Sequence, residues 1–180
     1  MRTPLFLAAA LVLACHATGA LAQQTPPASL APPEAMSSEH PDELAVAPYA
    51  EANANAGATP FAGTAMYEAF HGEAGVARIV DDFVDRNVAD PRIAGIFAAT
   101  DQVRLRRTLR EQFCYILGGG CTYTGRDMAS SHADMGAQSA DMGALVENLQ
   151  AAMSAEHVSF ATQNRFLAKL APMKRQVVTR

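Results

Sequence analysis

Residues able to do chemistry are sparse in this 180-residue chain, which has five histidines and three cysteines. His132 closes the run Cys121-Thr122-Tyr123-Thr124-Gly125-Arg126-Asp127-Met128-Ala129-Ser130-Ser131-His132. No second histidine, cysteine or carboxylate cluster stands beside it at the spacing of a structural zinc site. A lone imidazole is a structural or surface residue, or it ligates a metal whose other ligands come from outside the chain. Position alone leaves both readings open. Cys114 and Cys121 bracket Leu117-Gly118-Gly119-Gly120. A helix end followed by that glycine turn can fold the second cysteine back toward the first. A disulfide is expected in an oxidising compartment, and two buried thiols otherwise.

The N-terminus bears on the compartment. Arg2, the apolar run Leu5 to Leu13 and the small-x-small site Ala20-Leu21-Ala22 have the form of a secretory signal over residues 1–22. The run is too short to cross a bilayer. Export to the periplasm is therefore expected, with Cys114 and Cys121 as the surviving pair. In the alternative, Val12-Leu13-Ala14-Cys15 is a lipoprotein box and the chain is anchored by lipid on Cys15, the one route to a membrane. A net charge of −4 gives no electrostatic basis for nucleic-acid binding.

The elements that must position His132 come next. Residues 23–65, with Pro26-Pro27 and Pro32-Pro33, have almost no apolar periodicity and are expected to be a disordered linker. A partner-binding segment at Asp42 to Tyr49 is the alternative for its end. The folded domain spans 66–180. Val76, Ile79, Val80, Phe83, Val84 and Val88 recur at three- and four-residue steps, a helix that Asp90-Pro91 ends. Leu105, Leu109, Phe113 and Ile116 form a second stripe, Leu145, Val146, Leu149 and Met153 a third, and Phe166, Leu167, Leu170 and Met173 a fourth. No alternating strand pattern is present, so the fold class is all-α, with one long irregular segment from Gly118 to about Ser131.

One neutral imidazole is enough to hold iron that four porphyrin nitrogens already hold, and apolar helices can supply the flat slot a haem needs. Several pieces of sequence agree. They are Gly72-Glu73-Ala74-Gly75-Val76, Asp81-Asp82-Phe83, Ala89-Asp90-Pro91-Arg92, Phe97, Leu117-Gly118-Gly119, Tyr123-Thr124-Gly125-Arg126-Asp127-Met128 and His132-Ala133. In this order and spacing, from about Met66 to Thr179, the chain resembles the group I truncated haemoglobins.

That resemblance implies a shortened globin, a two-over-two helical sandwich around a b-type haem, with His132 as proximal iron ligand. It implies that Phe97 packs flat on the porphyrin and that Phe83, Val84, Leu105, Leu109, Phe113, Tyr123 and Met128 line the slot. Many family members carry a tyrosine where this chain has Val84, so the pocket above the iron is expected to be apolar. Gln112 is either its one donor or a solvated helix residue. Arg104, Arg106, Arg107 and Arg126 are candidates for pairing with the haem propionates or are solvated charge. His71 and His157 are read as exposed turn residues. The expected function is reversible binding of dioxygen, carbon monoxide or nitric oxide. Turnover of nitric oxide or peroxide would require an electron-donor reductase. A gas or redox sensor and a haem-free, disulfide-stapled bundle are the alternatives.

Overall fold

The stripe Val76, Ile79, Val80, Phe83 and Val84 forms the buried face of an 18-residue helix, α2 (Gly72–Ala89), in a computed structural model that describes residues 40–178. The expected signal, Cys15 and residues 23–39 lie outside the described residues. A short helix α1 (Ala65–Ala69) precedes α2, and His71, at φ 63°, makes the tight turn between them. Asp90 is extended because Pro91 follows it, and α2 stops there. Val88, expected on the buried stripe, is 46% exposed in the last turn.

Six more helices follow: α3 (Ala94–Phe97), α4 (Gln102–Leu117), α5 (Met128–His132), α6 (Ser139–Ala155), α7 (Phe160–Leu170) and α8 (Lys174–Val177). Single 3-10 turns occur at Asn53–Ala56 and Ala171–Met173. The described residues contain no strand, so the all-α expectation holds.

Two polar caps and one glycine define the ends that matter. The Asp101 carboxylate accepts from the amides of Val103 and Arg104 at 3.0 and 3.1 Å, which starts α4. Gly118 ends α4 at φ 88°, and a Cβ there would stand 2.2 Å from the carbonyl oxygen of Gly63. The turn brings Cys121 back to Cys114, and the two are bonded with Cα atoms 5.7 Å apart. Asp127 caps α5 by accepting from the Ser130 amide.

α2 packs across both α6 and α4, and Phe166 of α7 locks the group. Its ring lies edge-on to Phe70 at 5.1 Å and to Phe113 at 4.9 Å. Each fully buried side chain of this size contributes about 1.5–3 kcal/mol.

The expected 23–65 linker is corrected over its described part. Residues 40–64 lie against the helices as a strap, with Ala56 fully buried and the Phe61 amide donating to Ile116 O at 2.8 Å. Low apolar content argued against self-ordering, and the strap takes its order instead from hydrogen bonds to groups the helices and the 118–127 loop present. The Leu44 amide donates to Asp101 Oδ2 at 2.7 Å, Tyr49 Oη to Thr124 O at 2.9 Å, and Asn53 Oδ1 accepts from the Tyr123 amide at 2.8 Å.

Candidate functional site

His132 is the last residue of α5, a helix of barely more than one turn. Its Nδ1 lies 2.7 Å from the carbonyl oxygen of Met128, one turn back. A carbonyl can only accept, so Nδ1 carries a proton, and the neutral tautomer that fits this bond has its lone pair on Nε2. Nε2 has no partner among the described residues. An imidazole oriented and tautomerically fixed by a backbone carbonyl is the usual arrangement of a metal-ligating histidine.

His132 lines a cavity of about 760 Å³, inside the range of roughly 300–1,000 Å³ usual for cofactor pockets. The walls are mainly apolar: Phe83, Phe97, Leu105, Leu109 and Phe113 on one set of helices, Leu145, Val146, Leu149 and Leu167 on another. Tyr123 and Met128 complete the part nearest α5. Tyr123 donates its hydroxyl to Arg126 O at 3.0 Å, and burial pushes its phenol well above the usual range. The strap adds Leu44, Ala45, Val46 and Tyr49 to the lining, a contribution no pattern in the sequence announced.

Four expected residues, Val84, Gln112, Arg107 and Arg106, sit differently. Val84 is fully buried but does not line the cavity. Consecutive helix positions differ by about 100°, so the face that points Phe83 and Asn87 at the cavity turns Val84 into the core beside Val80. Gln112 does line the cavity, yet it is neither solvated nor a free donor. It is 6% exposed, and its Nε2 donates to Ala56 O at 2.9 Å and to Met128 Sδ at 3.4 Å. Arg107 lies outside the lining, bonded to Glu43, Glu111 and Thr124.

Arg104 and Arg126 do line the cavity, but the strap holds both. Arg104 Nε donates to Glu43 Oε2 at 3.0 Å, and its Nη2 donates to Leu44 O. Arg126 donates to Ala47 O at 2.9 Å and stands over the Tyr49 ring at 5.1 Å. Arg106 pairs with Asp81 and Asp85 instead. His71 and His157 are exposed at the turns before α2 and after α6.

Asn87 is a polar cavity residue that the sequence reading passed over. It interrupts the apolar stripe of α2 four residues after Phe83, is 1% exposed, and bonds to Asn148 on α6. A polar residue inside a buried stripe was the available signal.

Comparison with known proteins agrees with the geometry. The profile of the family described as bacterial-like globin matches residues 65–179, and the chain belongs to that family. It is 29% identical over 114 residues to the group 1 truncated hemoglobin GlbN of Mycolicibacterium paratuberculosis, covering 63% of this chain and 84% of that one. The group 1 truncated hemoglobin GlbN of Nostoc commune is 26% identical, covering 64% and 98%. Among solved structures, the truncated hemoglobin of Tetrahymena pyriformis in its Fe(III) form superposes with a TM-score of 0.61 at 25% identity, covering 64% and 98%. The 2/2 hemoglobin of Synechococcus, in the cyanomet state with covalently attached heme, gives 0.60 at 25%, covering 64% and 98%.

Proposed function

We propose that the cavity holds a haem, that His132 Nε2 is its proximal ligand, and that the chain binds small diatomic gases there. The observation that carries this reading is the His132 imidazole on the wall of an apolar cavity, its Nδ1 proton given to Met128 O and its Nε2 without a partner among the described residues. Membership of the globin family supports the same cofactor. Haem supplies an iron with a position open to a gas; the chain supplies the rest. Phe97, Leu105 and Leu109 exclude water from the cavity, which favours apolar ligands and slows chemical side reactions. Met128 O orients the imidazole.

Binding is favoured over turnover by the state of the carboxylates in the wall. Asp101 accepts from three backbone amides, and Asp141 accepts from the Gln138 amide. Both are engaged as caps and are not presented as acid or base groups. Nitric oxide consumption with an external reductase is the second activity to assay. The surviving cysteine pair and the leader-like residues 1–22 support export to the periplasm.

The test is an absorption spectrum of the protein and of His132→Ala, reduced and with carbon monoxide. A Soret band strong in the wild type and lost or shifted in the variant is the expected result. A folded wild type without a Soret band would overturn the reading.

A further inference from the structure

Asn87 is fixed in one orientation by a chain of acceptors and donors. Its Oδ1 accepts from Asn148 Nδ2 at 3.0 Å, and the same nitrogen donates to Asp90 Oδ2 at 3.1 Å. Asp90 pairs with Arg92 at 2.7 Å, and an ionised carboxylate only accepts. The end of Asn148 that faces Asp90 must therefore be its NH2 group, with both hydrogens in use. The end of Asn87 that faces Asn148 must then be its carbonyl. Turning either amide over would set NH2 against NH2, or oxygen against carboxylate.

What remains is Asn87 Nδ2, a donor with no acceptor. It is buried and has no hydrogen-bond partner among the described residues, on a residue that lines the cavity. Buried donors in folded proteins are almost always satisfied, and one left over beside a cavity calls for an acceptor from outside the chain. Gln112, the donor expected from the sequence, does not compete, because it is committed to Ala56 O, and Val84 has no donor to offer.

We propose that Asn87 is the hydrogen-bond donor this chain offers to a small oxygen-ended ligand in the cavity, with Asn148 and Asp90 as its positioning residues. The proposal rests on the haem reading above. Its consequence is selectivity. A donor helps most a ligand that gathers negative charge when bound, as dioxygen does, and helps carbon monoxide least.

The experiment uses the full chain loaded with haem, as wild type, Asn87→Leu and Asn148→Ala. A nearby donor draws electron density onto the outer oxygen of bound carbon monoxide and lowers its stretching frequency. Asn87→Leu is expected to keep the Soret band, to raise that frequency, and to speed dioxygen release about threefold to tenfold, the worth of one hydrogen bond. Carbon monoxide release should barely change. Asn148→Ala, outside the cavity lining, should move both readouts the same way by less, and it serves alone should Asn87→Leu fail to fold. A Soret band with unchanged stretch and unchanged dioxygen release overturns the donor and leaves the haem reading standing. A wild type without a Soret band overturns both.

Discussion

Glu43 and Arg107 meet across 64 positions of sequence, Oε1 against Nε at 2.5 Å, with the carboxylate side chain only 1% exposed. Arg104 closes the other side at 3.0 Å. The hydrogen bond from Arg107 holds the Glu43 carboxyl below the usual glutamate range, against the upward push of burial. A carboxylate with a depressed folded pKa adds stability above its unfolded value and loses it as pH falls through the folded one. The strap should therefore loosen below about pH 4. Glu43→Gln should loosen it already at pH 7, at a cost of about 1–3 kcal/mol. Hydrogen exchange of residues 40–50 from pH 7 to 3 checks this, and equal protection in wild type and variant at every pH would refute it.

His132→Gly removes the imidazole and leaves the space it filled. Added free imidazole should restore the Soret band to the variant if the side chain acts as a ligand. Haem retention without imidazole, at wild-type band position, would show that another residue holds the iron.

The Cys114 and Cys121 pair closes a small loop around the glycine turn. Replacing both with serine should lower unfolding free energy by about 2 kcal/mol, the loop-entropy value for a short span. Guanidinium unfolding of wild type and double variant measures it. Thiol titration of the denatured, unreduced protein should find no free sulfhydryl at these positions.

Gly118→Ala confronts both a left-handed backbone and a carbonyl 2.2 Å from the new methyl. The strap residues at Phe61 to Gly63 would have to withdraw. A loss of more than about 1 kcal/mol is expected in thermal unfolding, together with faster exchange at the Phe61 amide, which donates to Ile116 O.

The helices were legible because burial writes a period into sequence. Val76, Ile79, Val80 and Phe83 announce α2, and Leu105, Leu109 and Phe113 announce the wall of the cavity. His132 was legible only through resemblance, since one histidine on a one-turn helix carries no period. The strap could not be read. Its order comes from single long-range bonds such as Glu43 to Arg107 and Asn53 to Tyr123, which leave no local pattern. The misplacing of Val84 has a different source, because two adjacent positions on a buried helix both read as apolar and only the packed neighbours decide which of them faces the cavity.

The family match starts at residue 65, while the cavity wall starts at Leu44. A gene trimmed to the edge of the family would keep every recognisable globin residue and still make a different receptacle. Arg104 and Arg107 would lose the anion between them, Gln112 would lose its carbonyl, and Leu44, Ala45, Val46 and Tyr49 would be gone from the wall. Homology marks out the part of this chain inherited in common; one side of the receptacle belongs to the remainder.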